Sequence, residues 1–388
     1  MICILAPMIS FGQSKEHQFD FYGESIKLNT SDFKFVDFKS TLSEESIQEF
    51  YRDLEQNHFQ PAVEALMAYR EKHLPDNWLF YQLIRKTAQQ FSPKADNYNR
   101  YTLYKWYLLN KTGYHAILTI HQDQVLMYVQ SDENIYEIPY RIKEGKQFIC
   151  LNYHDYGNID FENKLFIEAS ILPVENKRSF TYKITKLPNF SKSDYQEKDI
   201  SFTYQDDRYV YRVKINTSVK SIFANYPVVD YAKYFNIPMS DETYNSLIPL
   251  LRKNLKNLSQ KSGVEYLMHF TRYAFVYKPD TEVFGKEKRF SPEQTLFSDY
   301  SDCEDRAALF FYLVKEIYDL PMIVLAYPEH VSIAVKFDKP VGDAIIYNGQ
   351  KYSICEPTPQ SFDLGVGQST VNLSKTKYEV VYAYNPSR

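Results

Sequence analysis

Three side chains of this sequence have the types and the order needed for nucleophilic chemistry: Cys303, His330 and Glu356. Cys303 stands in Ser301-Asp302-Cys303-Glu304-Asp305-Arg306-Ala307-Ala308-Leu309, at the mouth of an apolar helical stretch. His330 opens the strand-like run His330-Val331-Ser332-Ile333-Ala334-Val335, and Glu356 follows Tyr352-Ser353-Ile354-Cys355 on the next. A thiol becomes a strong nucleophile only after losing its proton, at a pKa of about 8.5 when free. The first turn of a helix favours the anion through its dipole and unpaired N–H groups. An imidazole in reach can take the proton, and a carboxylate on its other nitrogen fixes tautomer and orientation.

The pattern therefore predicts a cysteine nucleophile with an oriented base. The Cys303 N–H supplies one oxyanion donor, and Tyr300 and Gln294 are candidates for a second. Each residue also has a purely structural reading: a buried cysteine, a satisfied strand histidine, a glutamate opening a turn. Their joint order along the chain favours the chemical one. Glu304 and Asp305 are read as structural, capping the helix or pairing with Arg306 or a lysine.

The chain has 388 residues, a net charge of −4, and 35 Tyr and 27 Phe against 11 Gly. That length holds two or three domains. The charge balance speaks against a nucleic-acid partner, and the aromatic content against disorder. Residues 1–12, an apolar run from Ile2 ending in small residues before Gln13-Ser14-Lys15-Glu16, read as a signal peptide; the alternative is a short buried strand. Export to the periplasm or beyond is expected, and no other apolar run is long enough to span a bilayer. Cleavage would leave three cysteines, of which Cys150 and Cys355 sit in apolar strands as small hydrophobes. There is no glycine-rich phosphate loop and no Cys-x-x-Cys pair, so no cofactor or metal is expected.

Helical periodicity runs through 44–72, Trp78–Phe91 and Arg100–Leu109, followed by alternating segments at His115–Ile120, Val125–Val129, Ile135–Tyr140 and Gln147–Leu151. Residues 44–154 thus form a helix-plus-sheet domain. Leu165–Leu172, Ser179–Ile184, Ile200–Tyr204 and Tyr209–Ile215 suggest a β-rich middle over 155–225. Helices from Ser240 and Gly263, a loop Asp280–Ser298, the Cys303 helix and further strands make up 240–388. Laying Arg306 over Arg100 gives an echo of the last domain in the first, with Cys303 on Asn97, His330 on Gln124 and Glu356 on Cys150. A degenerate N-terminal copy without reactive residues would follow.

These residues resemble the transglutaminase-like superfamily, a papain-related group with the order Cys, His, Asp. Its helix start appears here as Ser301-Asp302-Cys303-Glu304-Asp305, its strand as His330-Val331-Ser332-Ile333-Ala334-Val335, and its Asp-Pro-Thr as Glu356-Pro357-Thr358. Pro292-Glu293-Gln294-Thr295-Leu296 and the helix Val264–Tyr277 match what precedes that motif. The resemblance covers Leu247–Thr358 and is closest to exported members from Bacteroidetes-type bacteria. It implies an α+β fold, a helix-borne cysteine packed on an antiparallel sheet, and a protein or peptide substrate. Reaction would pass through a Cys303 thioester, toward hydrolysis or acyl transfer. Glu356 and Ser301 depart from the usual Asp and Gly. A rival expectation is an inactive binding or scaffold protein of the cell envelope.

Overall fold

The computed structural model describes residues 16–29, 35–57, 59–157, 159–169, 177–280, 282, 288–342 and 344–386. The segment read as a signal peptide lies outside them. Mixed α+β architecture is observed, with helices and antiparallel sheets in each of two compact units. One unit runs to Asp132 and resumes over Pro139–Thr181; the other holds Glu133–Ile138 and everything from Tyr182 onward. The stretch 155–225 is therefore divided between them and is not a unit of its own.

In the first unit the helices are Glu44–Gln56, Gln60–His73, Asn77–Phe91 and Tyr98–Lys111. The periodicity over 44–72 is broken where the Glu44 helix ends at Asn57 and Pro61 enters the first turn of the next. Ser43 and Ser46 close a reciprocal cap at the Glu44 helix. The tyrosines at helical spacing, Tyr101, Tyr104 and Tyr107, are core residues. A five-stranded antiparallel sheet follows, in the order Tyr140–Lys143, Lys146–Cys150, Gln124–Ser131, Ala116–His121 and Ile167–Glu168.

The second unit opens on a long hairpin, Tyr195–Tyr204 with Asp207–Asn216. Its two turn residues, Gln205 and Asp206, both have positive φ, the geometry that matches strand twist across a two-residue loop. The helices Asp241–Leu255, Gln260–Tyr273, Pro292–Phe297 and Cys303–Tyr318 follow. Ala344–Tyr347, Gln350–Cys355, His330–Val335, Met322–Tyr327 and Glu379–Tyr384 form a second five-stranded antiparallel sheet in that order.

Several sequence expectations need correction. Ser179–Ile184 is not a strand; its polar groups go to loop partners, as where Thr181 N–H donates to Asn77. Within Leu165–Leu172, among the described residues only Ile167–Glu168 pairs. Ile135–Tyr136 pairs with Val228–Val229 and not with its sequence neighbours. The Asp280–Ser298 loop contains the helix Pro292–Phe297, started by a Ser291–Gln294 reciprocal cap.

The two sheets share one strand order, and their pairing registers fix which positions correspond. His121 faces Gln124 across one hairpin end, as Tyr327 faces His330 across the other. Tyr128 pairs with Cys150 where Ala334 pairs with Ile354, so Asn152 falls at the place of Glu356. Asn97 and Asp302 both cap their helices through the side chain, which puts Tyr98 at the place of Cys303. The echo thus holds at Gln124 and slips by one residue at the helix and two at the last strand. The slips come from unequal spacings between elements, the helix being 14 residues in the first unit and 16 in the second, which an ungapped overlay cannot absorb.

Candidate functional site

Cys303 is the first residue of a 16-residue helix whose N-cap is Asp302. The Asp302 carboxylate accepts the Asp305 N–H at 3.2 Å, satisfying one of the first-turn donors. The helix is pinned from behind by Arg306, which is fully buried. Its guanidinium donates to Ser301 Oγ at 3.0 Å, to Arg272 O at 2.6 Å and to Phe275 O at 2.8 Å. Ser301, where the resembled pattern has glycine, thus ties the approach strand to the helix. Arg306 also caps the end of the Gln260–Tyr273 helix, whose terminal carbonyls need donors.

His330 begins the strand beside it, and Glu356 directly follows the next strand. His330 Nε2 and Glu356 Oε2 are 2.8 Å apart. Glu356 is completely buried, and its other oxygen accepts the Thr358 N–H at 2.9 Å. The longer side chain thus has a seat: one oxygen on the imidazole, the other on the backbone of the turn it starts. Burial pulls the His330 pKa down, but the hydrogen bond and charge of Glu356, with Glu304 adding, leave it raised above its usual value. The Nε2 bond leaves Nδ1 as the nitrogen for proton transfer.

The thiol is placed differently from expectation. Cys303 Sγ donates to Glu304 Oε2 at 2.8 Å, and among the described residues it makes no hydrogen bond to His330. Glu304 is therefore neither a helix cap nor an Arg306 partner. Burial, the Glu304 charge, the Glu304 hydrogen bond and Asp302 all push the Cys303 pKa up. The Val331 N–H, one residue past His330, faces the sulfur and pulls the other way. That contact brings the cysteine to the head of the histidine strand.

Neither candidate for the second oxyanion donor is confirmed. Gln294 sits at its own helix start, where its Oε1 accepts the Ser291 N–H at 3.0 Å. The Tyr300 ring lies under the Lys278 ammonium, 4.4 Å from its centroid.

Behind the helix start lies a group that sequence reasoning missed. Asp280, Asp302 and Asp305 are all buried, each with a potential ligand atom within 4.8 Å of the others. Asp305 Oδ1 accepts the Phe290 N–H at 2.7 Å and the Tyr234 hydroxyl at 3.3 Å. Burial and the facing Asp302 and Asp280 charges push the Asp305 pKa well above the usual carboxylate range. Among the described residues Asp305 bonds to the Phe290 backbone and the Tyr234 hydroxyl, where a helix cap or a pairing with Arg306 or a lysine was expected. Cys150 and Cys355 are buried free thiols with pKa values raised by burial.

At the corresponding positions in the first unit there is no thiol and no imidazole. Asn152 Nδ2 donates to the Tyr98 hydroxyl at 2.8 Å, bonding the residues that stand where Glu356 and Cys303 stand in the second unit. Gln124 occupies the histidine position. No protein-family model matches the chain, and no curated protein matches its sequence.

Proposed function

We propose that the protein is an exported cysteine hydrolase whose second unit is a transglutaminase-like domain cleaving peptide or carboxamide bonds. The single observation that carries this reading is the His330–Glu356 pair, 2.8 Å apart with the acid sealed from solvent, at the mouth of the cysteine helix. In the reaction the thiol turns from Glu304 toward His330 Nδ1 and gives up its proton. The thiolate attacks the carbonyl carbon, and the helix-start N–H of Cys303 stabilises the oxyanion. His330 then protonates the leaving amine, and the C–N bond breaks to give a thioester. Water, activated by the same imidazole, hydrolyses it. Glu356 holds the ring throughout.

The first unit, on this reading, is an internal copy of the fold with Tyr98, Gln124 and Asn152 in the three positions. A second reading, a binding or scaffold protein, is favoured by one specific observation: the thiol rests on a carboxylate that opposes its ionisation. The dependence of iodoacetamide alkylation on pH separates the two. A hydrolase requires Cys303 to react well below the range of an ordinary thiol, and Cys303→Ala must lose both labelling and amide cleavage. Reaction rising only near pH of about 8.5, as for free cysteine, assigns the scaffold.

A further inference from the structure

Lys105, in the first unit, is a buried amine that the cysteine chemistry does not use. It stands two turns beyond Tyr98 on the helix Tyr98–Lys111 and is only 1% exposed. Among the described residues no hydrogen bond or ion pair reaches its ammonium. It rests on ring faces, 4.4 Å from the Tyr101 centroid and 5.8 Å from that of Tyr98. An ammonium buried without an anion gives up its proton more readily than one in water. Burial first, and then the Arg85 charge, brings the Lys105 pKa down to about 7. A large share of this side chain is therefore a neutral amine at physiological pH, and that is its nucleophilic form.

The groups that face Lys105 are short of negative charge. Arg85 comes from the helix Asn77–Phe91, Lys94 from the turn after it, Cys150 from the strand Lys146–Cys150, and His154 and Asp155 from the turn beyond. The Asp155 carboxylate is already engaged by Lys94 at 2.5 Å, the Tyr98 hydroxyl at 2.8 Å and His154 Nε2 at 3.4 Å. Burial lowers the His154 pKa to about 4 and pushes the Cys150 thiol up to about 12, so neither adds charge at neutral pH. Arg85 and Lys94 thus outnumber Asp155. Arg85 bonds the Tyr101 hydroxyl, on the ring that carries the Lys105 ammonium. It also donates to Gln82 Oε1 at 2.8 Å, and the buried Gln82 Nε2 has no acceptor. The cluster is one anion short, beside an amine and an unmet amide donor. An imine with an aldehyde would not supply that charge; a carbamate would.

We propose that Lys105 reacts with carbon dioxide to form a carbamate, held by Arg85 and the Gln82 amide. The Nζ lone pair attacks the carbon of CO2 and forms a C–N bond. One C=O π bond opens onto its oxygen, and the nitrogen passes one proton to water. The product carries a single negative charge and balances the excess of Arg85 and Lys94 over Asp155. Carbon dioxide is small and uncharged, so local opening of the unit is enough to admit it. The site does not depend on Cys303, and Cys303→Ala should react as wild type does.

Equilibration of the whole protein with isotopically labelled carbon dioxide, trapping of the carbamate with triethyloxonium and peptide mapping test the proposal. The labelled ethyl carbamate should lie on Lys105. At fixed CO2 pressure its yield should rise with pH as the amine loses its proton near its pKa of about 7. Dissolved CO2 at constant pH should raise the melting temperature of wild type and leave that of Lys105→Met unmoved. Arg85→Gln should lower the yield at subsaturating CO2 about ten-fold, since it both weakens the hold on the carbamate and returns the amine toward its charged form. The wild-type map decides even where a variant does not fold. No label on Lys105, label on surface lysines alone, or an equal melting shift in Lys105→Met overturns the proposal.

Discussion

Cys303 and Glu304 are neighbours in sequence whose side chains bond to each other, Sγ to Oε2 at 2.8 Å. A carboxylate in that position holds the thiol proton in place, whereas the helix start and the Val331 N–H work to release it. The balance between them sets whether the sulfur is reactive. Replacing Glu304 by glutamine removes the charge and keeps the shape. The midpoint of the alkylation profile should fall by about one unit or more, a ten-fold gain in thiolate at neutral pH. An unmoved midpoint would show that burial alone controls this thiol.

Glu356→Gln should leave the fold intact yet reduce amide cleavage by about 10²–10⁴-fold, because His330 then loses the group that orients it and supports its charge. His330→Ala should do at least as much. Steady-state kinetics on a peptide amide would decide, with kcat falling more than KM rises. A Glu356→Gln enzyme as fast as wild type would exclude the triad.

Stability should decline as pH rises through neutrality. His330 has a folded pKa above its unfolded value, so its contribution is complete below about 6.5 and disappears as pH passes the raised value. Asp305 acts in the same direction, since its folded pKa is raised above the unfolded value, so stability is lost as pH rises above that unfolded value. Asp305→Asn keeps the oxygen that Phe290 and Tyr234 use and removes the ionisation. It should raise unfolding free energy at pH 7.5 by about 1–3 kcal/mol and much less at pH 4, read from urea titrations at both. Equal effects at the two pH values would show that the Asp305 pKa is not raised on folding.

Arg306→Met should cost about 2–4 kcal/mol, because the Arg272 and Phe275 carbonyls and Ser301 would be left buried without a donor. Chemical denaturation measures it. Retention of full stability would mean that water replaces the guanidinium.

Much of the site could be read from the chain because each part sits where local rules place it. A cysteine after an N-capping aspartate, a histidine at the head of an alternating run and a glutamate before proline need no tertiary information. Glu304 was misread because an acid in the first turn already has a reason to be there, the helix dipole, and nothing in sequence reports side-chain direction. The Asp280 partner of Asp302 and Asp305 was invisible for another reason: it lies over twenty residues upstream, and only packing brings it to the helix start. The short helix at Pro292 did carry its signal, Ser291 three residues before Gln294, and was overlooked inside an apparent loop. The copy register failed at Asn152 because strand pairing, not residue count, defines equivalence.

The bond between Asn152 and the Tyr98 hydroxyl closes a door. Installing a cysteine at position 98 would strip Asn152 of its phenol and still leave glutamine where an imidazole must stand. No single codon change rebuilds a reactive centre there; three concerted replacements would be needed, each worthless without the others. At these three positions the first unit presents a phenol and two amides in place of a thiol, an imidazole and a carboxylate.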